Sequence, residues 1–199
     1  MDLKEYETWW DTDVVGGKRY TIEEFKTILG NADSREAYLD IIKAGWSVLD
    51  VGCGLGLDYE MYCENNVNVK YIGIDICRGF IEHNKKTHLE GNFIHGKSYE
   101  LPFANKTFDI ATSRHVLEHL REAEPTIREM CRVANQVAIV WFLPPQEQEK
   151  RLFTKKGFYK NTYSRPNLEE LIHGLGFKFS TKDFVYSSKR THQLWNLTR

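Results

Sequence analysis

The sequence predicts an α/β fold: a mostly parallel seven-stranded sheet with helices on both faces and a C-terminal antiparallel hairpin strand. Three observations predict it. Apolar runs alternate with helical patterns from residue 47 to residue 174, as in a parallel sheet covered on both sides. The first run passes into the glycine-rich turn Gly52-Cys53-Gly54-Leu55-Gly56 and then into a helix. The last two runs are joined by only a few residues, so those strands must lie antiparallel.

Taken in order, residues 1–45 read as a helical N-terminal cap to a single domain spanning 1–199. Thr21-Ile22-Glu23-Glu24 fits a capping box, in which hydroxyl and carboxylate each satisfy a free amide. Ile22, Phe25 and Leu29 share a face, and Gly30 can end that helix. A second helix starts at Asp33, turns Ala37, Tyr38, Ile41 and Ile42 inward, and stops at Gly45. Trp9, Trp10 and Gly16-Gly17 suit either a docked aromatic helix or a lid. Strands are expected over 47–51, 70–74, 92–95, 108–113, 137–143, 177–186 and 192–198. Helices are expected over 58–65, 79–88, 125–133 and 167–174. The long connection 144–166 follows the fifth strand, and loops of that length in compact domains are commonly functional.

Bulk properties narrow the function. The 199 residues suffice for a full core. A net charge of −1 gives no global attraction to nucleic acid. The charge is uneven: from Gln146 onward there are 11 Lys+Arg against 5 Asp+Glu, and 16 against 23 before it. A solvated basic face accounts for that as readily as a binding surface. No apolar run reaches membrane-spanning length, and the first residues are not a signal peptide. Cys53, Cys63, Cys77 and Cys131 have no C-x-x-C spacing, so reduced thiols and a cytoplasmic location are expected.

The chemistry centres on Val48-Leu49-Asp50-Val51-Gly52-Cys53-Gly54-Leu55-Gly56. Glycine tolerates positive φ and lets backbone approach a ligand. Turns of this kind also occur without one. The turn gains meaning from Tyr71-Ile72-Gly73-Ile74-Asp75, a second strand ending in an acid 19 residues beyond Gly56. That is close to the spacing at which an acid reaches a ribose. The glycines do not form G-x-G-x-x-G, and Asp50 before the turn would repel a pyrophosphate, so a cationic nucleoside fits better.

At these residues the chain resembles the class I S-adenosylmethionine-dependent methyltransferases, in particular the small-molecule, type 11-like domain. The resemblance runs from about Ser47 to Leu143 and rests on VLDVGCGLG, GIDIC, ELPF, and FDIATSRHVLEHL followed by REMCRVA. It implies a three-layer Rossmann-like sandwich and S-adenosyl-L-methionine as cofactor. By the resemblance, Gly52, Cys53, Gly54 and Gly56 approach the methionine part, Asp50 lies near its ammonium, Asp75 accepts both ribose hydroxyls, and Ile76 flanks the adenine. The competing reading of Asp75 is a helix N-cap. Ser98 and Tyr99 fall in the adenine-reading segment. There the family often has an acid where Lys97 stands, and lysine cannot accept a hydrogen bond. Arg114 and His115 end the fourth strand beside the methyl group. His115 is the candidate general base, because imidazole titrates near neutral pH; positioning the acceptor is the alternative role. His119, one turn on, reads as packing.

The stretch His115-Val116-Leu117-Glu118-His119 also spells H-x-x-E-H, a zinc-protease pattern when helical. That reading leaves the glycine turn and Asp75 unexplained, so no metal is expected. The expected activity is methyl transfer to an oxygen or nitrogen of a small molecule or glycan. A nucleic-acid or protein methyltransferase and a non-catalytic cofactor-binding protein remain as alternatives. The loop 144–166 carries Arg151, Lys155, Lys156, Lys160 and Arg165 among Phe153, Phe158, Tyr159 and Tyr163. It suggests an anionic, ring-containing acceptor, against the plainer reading of a solvated loop with docked aromatics.

Overall fold

The computed structural model describes residues 33–155, 158–187 and 190–199, with Ile22 and Glu24 ahead of them. Ile22 and Glu24 are helical. The rest of the expected Thr21 helix and the aromatic segment around Trp9 and Trp10 lie outside the described residues.

The sheet has seven strands: β1 Ser47–Val51, β2 Lys70–Asp75, β3 Asn92–His95, β4 Phe108–Arg114, β5 Ala134–Trp141, β6 Lys178–Ser187 and β7 Arg190–Thr198. Their order is β3-β2-β1-β4-β5-β7-β6. β1 to β5 are mutually parallel, and β7 runs antiparallel to both β5 and β6. The helices are α1 Asp33–Glu36, α2 Leu57–Glu64, α3 Arg78–Thr87, α4 Glu124–Val133 and α5 Arg165–Gly174.

Alternation along β1 sets the layers. Val48 faces one apolar cluster, with Tyr38, Met61 and Tyr62 of the α1–α2 side and Ile81 of α3. Leu49 and Val51 face the other, with Ile127 and Met130 of α4 and Leu168 and Ile172 of α5. A strand buried on both faces reads as a continuous apolar run, which is why β1 was legible. The order of strands reverses between β1 and β4, placing their C-terminal ends where open α/β sheets bind ligands.

Most other element ends shift by one or two residues from expectation, and three boundaries differ for a visible physical reason. The helix from Asp33 is only α1; beyond it the chain tightens, with Tyr38 N bonding Arg35 O and Leu39 N bonding Glu36 O, both at 3.0 Å. Ala37, Tyr38 and Ile42 are still buried as the helical pattern required, while Ile41 is half-buried. β5 starts at Ala134 because α4 passes straight into it. Asn135 and Gln136, polar enough to read as loop, spend their amides on Phe108 O (3.3 Å) and Asn196 Oδ1 (2.7 Å). β5 ends at Trp141 because the amides of Phe142 and Leu143 turn to Glu118 Oε1, at 2.6 and 3.2 Å.

Candidate active site

The turn after β1 carries three left-handed glycines: Gly52 (φ 79°), Gly54 (φ 51°) and Gly56 (φ 71°). Gly52 N and Cys53 N both donate to Ile74 O, at 2.8 and 3.1 Å, tying the turn to β2. A side chain on Gly52 would meet Val116 Cγ2 at 2.4 Å. The segment after β4 therefore closes against the turn only because that residue is glycine.

Gly54 is held from both sides. Its amide donates to Asp75 Oδ2 at 2.9 Å, and its carbonyl accepts from Asn84 Nδ2 at 2.8 Å. The other Asp75 oxygen accepts the Cys77 amide at 2.8 Å. Asp75 is not the N-cap of α3, a position Cys77 occupies. Burial raises the Asp75 carboxyl, while the Cys77 and Gly54 amides pull it down. The Ile76 amide also lowers it, and the carboxylate keeps acceptor capacity beyond these amides. Asn84, fully buried on α3, was missed in the sequence because its partner lies 30 residues away.

Below the turn lies a buried polar cluster. Asp50 is 2% exposed and accepts the Tyr71 hydroxyl at 2.7 Å. Burial first, then the charge of Asp58, pushes its carboxyl up to about 8. Arg114 Nε donates to Asp58 Oδ1 and Oδ2 at 2.9 and 3.2 Å, so the guanidinium is already committed. The hydroxyls of Tyr38 and Tyr62 are buried there without a hydrogen-bond partner.

The residues expected at the adenine are engaged within the protein. Ile76 is half-buried, and its carbonyl lies 3.0 Å from His95 Nε2. His95 stands in register with Asp75. Ser98 Oγ shares a 2.8 Å hydrogen bond with Thr126 Oγ1. Lys97 Nζ lies 5.5 Å from the Tyr99 ring centroid.

His115 is also left-handed (φ 58°). Its amide donates to Val140 O at 2.9 Å. Its ring packs at 5.5 Å from Phe142 and 4.6 Å from His192 of β7. Nε2 is buried with no partner. Burial first, then Arg114 and the neighbouring histidines, drive its pKa down to about 2, so the imidazole is neutral. His192 was missed because only the β5–β7 pairing brings it here.

The H-x-x-E-H stretch has no helix to align it. Leu117–His119 is a single 3-10 turn. Glu118 serves the amides leaving β5, and His119 Nδ1 donates to Tyr159 O at 2.8 Å. Among the described residues no three His, Cys, Asp or Glu side chains converge as metal ligands.

The connection after β5 folds back as a flap, with antiparallel bridges Lys150 to Thr162 and Phe153 to Tyr159. It departs from the expected anion-binding surface at three residues. Arg151 pairs with Glu149 and with Glu122, the latter at 2.8 Å. Arg165 pairs with Glu169 at 2.7 Å. Tyr163 is buried, its hydroxyl bonded to Leu117 O and Leu120 O. Lys155 and Lys160 remain exposed. No helix among the described residues is long and apolar enough to cross a membrane.

A family model described as a methyltransferase domain matches residues 49–142. A methyltransferase relative from Encephalitozoon cuniculi is 33% identical over 66% of this chain and 70% of its own length. The sterol methyltransferase-like 2 of Botryococcus braunii is 32% identical over 64% of this chain and 34% of its own. The chain spans between about a third and about half of the length of the first curated relatives it matches. In fold it is similar to the 1,6-didemethyltoxoflavin-N1-methyltransferase of Burkholderia thailandensis, solved with its acceptor and S-adenosylhomocysteine. The TM-score there is 0.74 at 14% identity, over 100% of this chain and 92% of that one. The chain belongs to the class I S-adenosylmethionine-dependent methyltransferase family, whose cofactor, S-adenosylmethionine, is its own.

Proposed function

We propose that this chain transfers a methyl group from S-adenosylmethionine to an oxygen or nitrogen of a small, ring-containing acceptor. The observation that carries the reading is the Gly54–Asp75 contact at the C-terminal ends of β1 and β2. It fixes a carboxylate beside a turn that has no side chains at its three glycines. The cofactor's groups suit the residues present. Asp75 would hold the ribose hydroxyls through its remaining lone pairs. Asp50, a buried acid with no cation bonded to it, would meet the ammonium. Ile76 and Tyr99 would flank the adenine, with Ser98 on its edge. When bound, S-adenosylmethionine supplies a methyl group on a positively charged sulfur, already activated for transfer.

What remains for the chain is alignment and exclusion of water. In this reading His115 would meet the acceptor, and its neutral Nε2 would accept a hydrogen bond from the acceptor's O–H or N–H. A pKa of about 2 makes it a hydrogen-bond acceptor that orients the nucleophile more than a store for its proton. Phe142, His119 and Phe158 extend an aromatic wall from His115 to the flap, with His119 at 5.3 Å from Phe142 and 5.4 Å from Phe158. Flat apolar contact of this kind suits a ring. Two curated relatives, a sterol methyltransferase-like protein and an ajmaline N-methyltransferase, carry names that point to ring systems. With Arg151 and Arg165 committed, an anionic group on the acceptor would fall to Lys155 and Lys160 among the described residues, Lys156 lying outside them.

The test is conversion of S-adenosylmethionine to S-adenosylhomocysteine with phenols, heterocyclic amines and sugar phosphates offered as acceptors. Turnover that depends on an acceptor supports the reading. A cofactor bound but never consumed with any of them would make the chain a binding protein.

A further inference from the structure

Two acids and one base are buried together beneath the glycine turn. Asp58 and Arg114 neutralise one another through two hydrogen bonds. Asp50 is left with a single neutral donor, the Tyr71 hydroxyl, on one of its oxygens. Among the described residues, titratable groups face it from several elements. From β2 come Tyr71 and Asp75, from α2 Asp58, from the end of β4 Arg114, and from the turn Cys53. Tyr38, just after α1, and Tyr62 of α2 also lie within reach of its charge. Arg35 of α1 faces Asp58 and Arg114. The Tyr38 and Tyr62 hydroxyls are fully buried in this cluster and have no hydrogen-bond partner among the described residues. Groups left so are a sign that something polar completes the site.

A buried carboxylate whose nearest cation is already hydrogen-bonded to another acid tends to keep its proton. Burial and the Asp58 charge push the Asp50 carboxyl up to about 8, so it is protonated at neutral pH. A ligand bearing a primary ammonium reverses that balance. The ammonium brings the missing positive charge and several N–H donors, which favours the ionised carboxylate.

Resting on the reading of this pocket as the cofactor site, we infer that cofactor binding exchanges a proton on Asp50 for the ammonium of the ligand. The proton leaves the Asp50 carboxyl for solvent, the carboxylate gains the ammonium as its counter-ion, and no other bond is made or broken. Binding therefore strengthens as pH rises toward the free carboxyl's titration and then levels off. The chain becomes a cofactor binder tuned to near-neutral pH by one buried acid.

The probe is S-adenosylhomocysteine, which carries the same amino acid end. Calorimetric titrations at pH 6.5 in buffers of different ionisation enthalpy count the protons released. The expected count is about one per ligand bound, with affinity rising roughly tenfold per pH unit between about pH 5.5 and 7.5. Asp50→Asn keeps the shape of the protonated carboxyl and should release none, with a flat affinity over the same range. Release below about a fifth of a proton, or equal release by parent and Asp50→Asn, overturns the inference. Because the proton count on the parent stands alone, a poorly folding variant does not remove the test. Binding without proton release sinks this inference alone, whereas absence of binding at every pH sinks the cofactor-site reading and this inference with it.

Discussion

Asp75 holds the amide of Gly54 at 2.9 Å, so the residue read as the ribose acceptor also fixes the turn that would approach the ligand. Its second oxygen takes Cys77 N at 2.8 Å. One carboxylate thus joins the end of β2, the turn after β1 and the start of α3. Changing it should loosen the cofactor site as a unit.

The turn itself makes a stability prediction. Gly52→Ala adds a carbon 2.4 Å from Val116 Cγ2 at a residue with φ 79°. Overpacking and a left-handed backbone both oppose it, at about 2 kcal/mol or more together. Gly174, at the end of α5, has nothing within 4 Å and an ordinary φ. There alanine should be neutral or stabilise by up to about 1 kcal/mol. Urea denaturation of the two variants checks the contrast; equal effects would show that the turn tolerates a side chain.

Glu118 is expected to be structural. It is fully buried, its carboxyl is pushed up to about 7 by burial against the pull of the backbone amides, and it accepts both Phe142 N and Leu143 N. Glu118→Ala orphans those amides and should cost about 2 kcal/mol or more. Glu118→Gln keeps an acceptor oxygen and should cost less than half as much. Denaturant midpoints at pH 7 decide. Equal losses in the two variants would show that the charge, not the acceptor, matters.

Asp50 also carries a pH signature in stability. Its folded carboxyl titrates near 8, above the unfolded value of about 3.9. The folded state therefore holds the proton more tightly. That contribution is complete below about pH 4 and is lost as pH rises through about 8. Between pH 5 and pH 8.5 the parent should lose more stability than Asp50→Asn, in which Glu118 still titrates. Parallel stability curves for the two proteins would show that Asp50 is ionised throughout.

His115 should affect turnover and spare cofactor binding. With a responsive acceptor in hand, His115→Ala is expected to lower kcat/KM for the acceptor by about tenfold or more. S-adenosylhomocysteine affinity should stay within about threefold. His115→Asn tolerates the left-handed backbone and restores an acceptor atom, so it should recover part of the loss. Kinetics within about twofold of the parent for His115→Ala would reduce His115 to lining.

The sequence disclosed what short-range pattern encodes. β1 and β3 were legible to the residue, because one is a buried apolar run and the other is bounded by Gly91 and Gly96. The turn and Asp75 were legible through glycine chemistry and spacing. What stayed hidden depends on distant residues meeting. Asn84 finds Gly54 across 30 residues, and Arg114 finds Asp58 across 56. Nothing local marks Arg151 as spent on Glu122, 29 residues away, so the flap read as more basic than it is. The start of β5 was hidden because Asn135 and Gln136 look like loop until their bonding partners are in place.

The central claim, a cofactor held at the Gly54–Asp75 corner, is tested most directly by calorimetry of S-adenosylhomocysteine on the parent and on Asp75→Ala. The carboxylate would give two ribose hydrogen bonds, each worth roughly 1.5–3 kcal/mol when the acceptor is charged. Loss of both predicts about 100-fold weaker binding or more, with the fold retained by circular dichroism. A change below about threefold in a folded Asp75→Ala protein, or no binding by the parent, would contradict the account.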